Sequence, residues 1–142
     1  MTDGGREPLQ TALAAEHAAV YVFAVLGGRT SRADSPDLYA AVRTAYDTHR
    51  GRRDRLQSLI ADGGAKPAGP EAAYATPPRL DSVRGLRRAA AAIERRCAAT
   101  YAYVVGVSTG ADREWAVGAL TDAAVRSLSF GAAPSALPGV ED

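Results

Sequence analysis

The sequence predicts an all-α protein, an antiparallel four-helix bundle with one long crossover between its second and third helices. Three observations predict it. Ala occurs 31 times in 142 residues while β-branched residues and Phe are sparse, a mixture that favours helix over sheet. Apolar residues recur at spacings of 3 and 4 along four segments, the period of a bundle seam. Of the three connections, the outer two are short and the middle one is long and broken by Pro and Gly. A chain of this length supports a single core, so one domain is expected: a bundle over 1–130 followed by an irregular tail over 131–142.

The first helix is expected over about Glu7 to Arg29, with Pro8 where its missing N–H costs nothing and Gly27-Gly28 near the end. Leu9, Leu13, Glu16, Val20 and Phe23 form its seam. The second opens at Ser35-Pro36 and closes at Asp62-Gly63-Gly64, with Leu38, Val42, Ala45, His49, Arg52, Leu56 and Leu59 on its seam. The stretch from Gly63 to Asp81 holds Pro67, Pro70, Pro77 and Pro78 and cannot be helical throughout. At about 3.3 Å per extended residue it is long enough to run the length of the bundle. The third helix reads from about Ser82 to Gly106, capped by Asp81, with Val83, Leu86, Ala90, Ile93, Cys97, Thr100 and Val104 on one face and Glu94 and Tyr101 beside it. The fourth reads from about Asp112 to Phe130, with Val117, Leu120, Thr121, Ala124, Val125 and Leu128 as its apolar arc and Asp122 on the flank. The remainder, GAAPSALPGVED, has no periodicity and reads as a loose tail lying over the bundle.

Composition bounds the function. A net charge of +1, from 17 basic and 16 acidic residues, argues against nucleic acid as a partner through bulk electrostatics. The Arg runs at Arg50, Arg52, Arg53 and Arg55, and at Arg84, Arg87, Arg88, Arg95 and Arg96, read as solvated faces laced to Asp47, Asp54 and Asp81. The opening residues carry Asp3, Arg6 and Glu7 rather than a basic-then-apolar leader, and the longest apolar run, Ala18 to Leu26, is under half of the ~20 residues that span a bilayer. A cytoplasmic chain with no membrane segment is the expectation. Cys97 is the single cysteine, so no intrachain disulfide forms, and its flanks suggest a buried small hydrophobe. No phosphate loop, nucleophile elbow or Cys/His cluster is present.

The midpoint of each helical segment coincides with a polar residue on or beside the seam: Glu16 with His17, His49 with Arg52, Glu94, and Asp122 with Thr121. In an antiparallel bundle equal height means proximity. Charged groups converging in a core must pair with one another or share an ion.

The segments Ala-Glu-His-Ala-Ala-Val-Tyr at Ala15 to Tyr21, His-Arg-Gly-Arg-Arg-Asp at His49 to Asp54, and Leu-Thr-Asp-Ala-Ala-Val-Arg at Leu120 to Arg126, with the short, long, short connections, resemble an actinobacterial ferritin-like family of unknown function. Ferritin-like di-iron proteins place a Glu on each of two helices and a Glu-x-x-His on each of the other two. The resemblance puts Glu16 and Glu94 at the positions of the single glutamates. At the Glu-x-x-His positions it puts His49 and Arg52 on the second helix, and Asp122 and Val125, or Thr121 and Ala124, on the fourth. Neither motif survives.

A dinuclear site needs about six mostly carboxylate ligands, and Arg52 is a permanent cation that cannot ligate. The expectation is a mid-bundle network of Glu16, His49, Arg52, Glu94 and Asp122 that holds no metal and no cofactor, Arg52 pairing with Glu16 or Glu94 and His49 donating to the other. His17, Tyr101 and Thr121 are secondary candidates, with His17 read as a surface or interface histidine. Tyr21, Phe23, Tyr39, Tyr46 and Trp115 are either exposed aromatics of a homodimer or partner interface, or packing beneath the crossover. The functional expectation is a self-associating or partner-binding bundle without catalytic residues. The alternative is a carboxylate-type metal-binding protein or oxidoreductase with a reduced metal site.

Overall fold

A computed structural model describes residues 6–140, so expectations for residues 1–5 and for the last two residues of the tail fall outside the described part. The described residues form four helices: α1 (Glu7–Arg29), α2 (Pro36–Asp62), α3 (Val83–Val107) and α4 (Gly110–Ser129). No strand occurs among the described residues. The long α1 takes its core role from composition. It is long and apolar enough by those measures alone to cross a membrane, with a mean hydropathy of 1.4 over its most apolar window. Half of that window is buried here, because α1 packs against both α2 and α3.

Side-chain pairings give the direction of each helix. Arg6 meets the Leu59 carbonyl and Glu16 meets His49, so α1 and α2 are antiparallel. Arg52 meets Asp122 and Thr48 meets Arg126, so α2 and α4 are antiparallel as well. The crossover follows α1. Gln10 donates to the Lys66 carbonyl at 2.8 Å and accepts from the Ala68 amide at 2.9 Å, His17 Nε2 donates to the Ala68 carbonyl at 3.0 Å, and Tyr21 packs on Tyr74 and bonds Thr76. Successive residues of α1 therefore meet successive residues of the crossover, which returns the chain to the end of the bundle where α2 began.

Several boundaries differ from expectation for local reasons. Ser82, not Asp81, caps α3, its hydroxyl accepting from the Gly85 amide at 3.0 Å. The α3–α4 connection is only Ser108 and Thr109, since α4 begins at Gly110, whose φ of 60° is costless without a side chain. A Cβ at Gly85 would overlap the Arg79 carbonyl, so the crossover can approach α3 closely only because that position is Gly.

The phase of α4 is the main correction. Ala116, Ala119, Ala123 and Ser127 face inward, while Val117, Val125 and Leu128 of the expected apolar arc stand exposed at 45%, 61% and 44%. Small residues let α4 approach α3 closely, and that contact sets its rotation rather than the size of its apolar side chains. On α3 the same logic leaves Val83 exposed and Thr100 bonded to its own helix through the Arg96 carbonyl. On α2, Ile60 is buried where Leu59 was expected to be. The tail is seated rather than loose: Gly139, at φ 81°, lies where a Cβ would come within 2.8 Å of the Ala102 methyl on α3.

Candidate functional site

Glu16, His49 and Glu94 meet in the middle of the bundle, each within 1% of complete burial. His49 Nδ1 lies 2.5 Å from Glu16 Oε2, and its Nε2 lies 2.7 Å from Glu94 Oε1. A neutral imidazole has one N–H, so two carboxylate partners require the doubly protonated ring. Tyr101 adds a third bond, donating its hydroxyl to Glu16 Oε1 at 2.5 Å. Both oxygens of Glu16 are thus engaged in hydrogen bonds.

The electrostatics agree. Burial alone depresses the His49 pKa, but the hydrogen bonds to Glu16 and Glu94 and the charges of both outweigh it and raise the value to about 9. Burial, followed by the charge of Glu16, pushes the Tyr101 hydroxyl well above its ordinary value, so it remains a donor. Burial and then the charges of Glu16 and Glu94 push the Cys97 thiol up too. Phe23, two turns along α1 from Glu16, stacks on the His49 ring at 5.3 Å and 12° and holds its orientation.

Arg52 is not where the sequence placed it. It donates to Asp122 at 2.9 Å, and its guanidinium lies 6.0 Å from the Tyr101 ring and 5.9 Å from the Trp115 ring. The reason is occupancy: the His49 ring fills the gap between the two glutamates, and the oxygens facing it are already engaged. Asp122 is taken by two cations, since Arg126 grips both of its oxygens at 2.8 and 3.0 Å. These bonds to Arg126 and Arg52 overcome partial burial and hold the Asp122 pKa below its usual value.

Arg126 is the functional-looking residue that sequence reasoning missed. Its distance to Glu94 Oε1 is 3.8 Å, so it joins the two halves of the network. The signal was its i,i+4 spacing from Asp122. With it, the carboxylates of Glu16, Glu94 and Asp122 face the cations His49, Arg52 and Arg126, and the formal charges cancel. One atom is left over: Glu94 Oε2 is buried without a hydrogen-bond partner among the described residues.

The secondary candidates divide. Tyr101 belongs to the network; Thr121 is exposed and bonds the Val117 carbonyl of its own helix; His17 is buried but fastens the crossover instead of joining the centre. Phe23 is core, in line with its seam spacing and against its placement among exposed aromatics. Tyr21 packs beneath the crossover, Trp115 meets Tyr101 edge-on at 5.7 Å, and Tyr39 and Tyr46 sit under Arg32 and Arg50. Of the expected local Arg–Asp pairs, Arg53–Asp54 forms, while no ion pair among the described residues involves Asp47 or Asp81. A dinuclear carboxylate centre does not fit this donor set, because Asp122 is turned to two guanidinium groups and His49 is held as a cation.

Replacing His49 with Ala leaves two buried carboxylates without their shared cation and is expected to cost about 3 to 5 kcal/mol in chemical unfolding. Arg52→Ala, acting on a pair that is partly exposed, is expected to cost about 1 kcal/mol or less. A larger loss from Arg52→Ala than from His49→Ala would contradict the central role of the imidazolium.

Stability should also depend on pH with a defined sign. The His49 pKa is raised from 6.5 unfolded to about 9 folded, so its contribution is complete below pH 6.5 and is lost as pH rises through 9. Urea unfolding should lose about 3 kcal/mol between those limits, and His49→Gln should flatten that slope.

The comparisons with known proteins place the chain without assigning it an activity. Among solved structures it is similar to a conserved hypothetical protein, rv2844, from Mycobacterium tuberculosis, with 27% sequence identity, a TM-score of 0.81, and coverage of 92% of this chain and 97% of that one. Comparison with curated proteins gives no match. Residues 8–142 match the family described as a domain of unknown function (DUF4439), and the chain belongs to that family.

Proposed function

We propose that this protein is a ferritin-like bundle that works without a di-iron centre, as a self-associating protein whose unit is a homodimer. The observation that carries the reading is the His49 imidazolium between Glu16 and Glu94: the protein supplies the positive charge that a metal would supply to these carboxylates. Arg52 and Arg126 do the same for Asp122. Glu16, His49 and Glu94 are each within 1% of complete burial, which supports a role within the fold. Self-association is supported by the phase of α4, which turns Val117, Val125 and Leu128 outward, and by exposed Tyr103 and Val107 on α3.

Light scattering coupled to size-exclusion chromatography tests this directly. A mass twice the 14.7 kDa of the chain is expected, with Val125→Asp shifting the population to monomer. A strict monomer at high concentration would remove the proposal.

A second reading rests on one specific observation. Glu16, His49 and Cys97 present ligand atoms within 4.8 Å of one another, a donor set suited to a single borderline cation such as Zn(II). Binding would have to displace protons from His49 and Cys97, both of which hold them tightly. Elemental analysis after growth with zinc, iron and manganese discriminates: near-stoichiometric metal lost in Cys97→Ala supports this reading, and less than about a tenth of an equivalent disposes of it.

A further inference from the structure

We infer that two copies of this chain join by reciprocal insertion, the Leu137–Val140 turn of each seating in the groove between α4 and the tail of the other. The inference rests on the homodimer reading above and adds the interface and its geometry to it. Leu-Pro-Gly-Val at Leu137 to Val140 forms a tight turn: the Val140 amide donates to the Leu137 carbonyl at 3.1 Å, and Gly139 has a φ of 81°. With Pro138 fixing φ at about −65° before it, the turn is type II, which favours Gly at its third position. The turn is also fixed to the bundle. A Cβ at Gly139 would come within 2.5 Å of the Ala98 carbonyl oxygen and 2.8 Å of the Ala102 methyl, so bare backbone lies directly on α3. Its two ends carry Leu137 and Val140, exposed at 66% and 58%. A rigid, anchored turn thus holds two apolar side chains in water, which stabilises nothing within one chain.

The matching hole lies beside the turn. A groove of about 620 Å³ has Val125 and Leu128 exposed on its α4 side and Pro134, Pro138 and Val140 on its tail side. Leu137 adjoins Pro138 of that lining. Apart from Arg95, the lining carries no charge among the described residues, so two copies meet here without opposing rows of like charge. Knob and groove in one patch are what a two-fold interface requires, because the same patch serves on both copies and each contact occurs twice. A different partner would need only one of them. The area is of the right size as well. Val125, Leu128, Leu137 and Val140 leave on the order of 400 Å² of apolar side chain in water, the larger part of the roughly 500 Å² apolar share that a stable dimer buries on each partner.

Sedimentation equilibrium and disulfide cross-linking of the full chain test the geometry. A wild-type dimer is expected, with Leu137→Asp weakening dimerisation at least ten-fold and Val83→Asp, at an exposed valine at the start of α3, changing it less than two-fold. For the contact itself, a Leu137→Cys chain is mixed with a Val125→Cys chain and oxidised, the buried Cys97 remaining in both. A disulfide between the two unlike chains, mapped to positions 137 and 125 and in excess over disulfides between like chains, is expected from reciprocal insertion. A dimer that Leu137→Asp weakens no more than Val83→Asp does, or in which the unlike chains do not cross-link, overturns the insertion and leaves the homodimer reading standing. A wild-type chain that stays monomeric overturns both.

Discussion

The rest of the bundle is arranged around one contact, the His49 imidazolium held between Glu16 and Glu94. Two carboxylates this deeply buried repel each other and have lost their water, and both effects destabilise the core. A cation with two donors on opposite edges of a rigid ring satisfies both, and it joins α1, α2 and α3 at a single level. Tyr101 then completes the acceptors of Glu16, and Phe23 keeps the ring from turning. A buried ionic network of this kind is weak evidence for overall stability, since apolar residues of similar volume often serve as well. Its effect is to permit one register, because sliding any helix by a turn would strand a charge.

The second layer of the network shows how charge and packing divide the work. Asp122 sits near the surface of α4, where Arg52 and Arg126 reach it with partial access to water, so this half contributes less energy per bond than the central triad. Arg52 also lies over the Tyr101 and Trp115 rings with its guanidinium. Small inward residues on α4 make this approach possible. They also leave its larger apolar side chains on the outside, so the feature that completes the core produces the surface on which self-association is proposed.

The sixteen arginines are therefore not one population. Arg52 and Arg126 neutralise carboxylates, Arg32 and Arg50 lie over tyrosines, and Arg84, Arg87 and Arg88 make no ion pair among the described residues. A net charge near zero conceals this, because composition sums what the fold separates.

The sequence alone determined the helices, their order, the single long connection and the level at which polar residues converge, since each depends on local propensity and on spacing along one chain. It also identified Glu16, His49, Glu94, Asp122 and Tyr101, because a polar residue on an apolar seam is visible as an interruption of the period. Only the tertiary structure decided which partner each would take. His49 and Arg52 lie one turn apart on the same helix and were expected to take one glutamate each; in the fold the His49 ring occupies the space between both glutamates and Arg52 turns to Asp122. The rotation of α4 was equally hidden, because its inward face is chosen by how closely Ala and Ser let two helices approach, a property of the pair and not of either sequence segment.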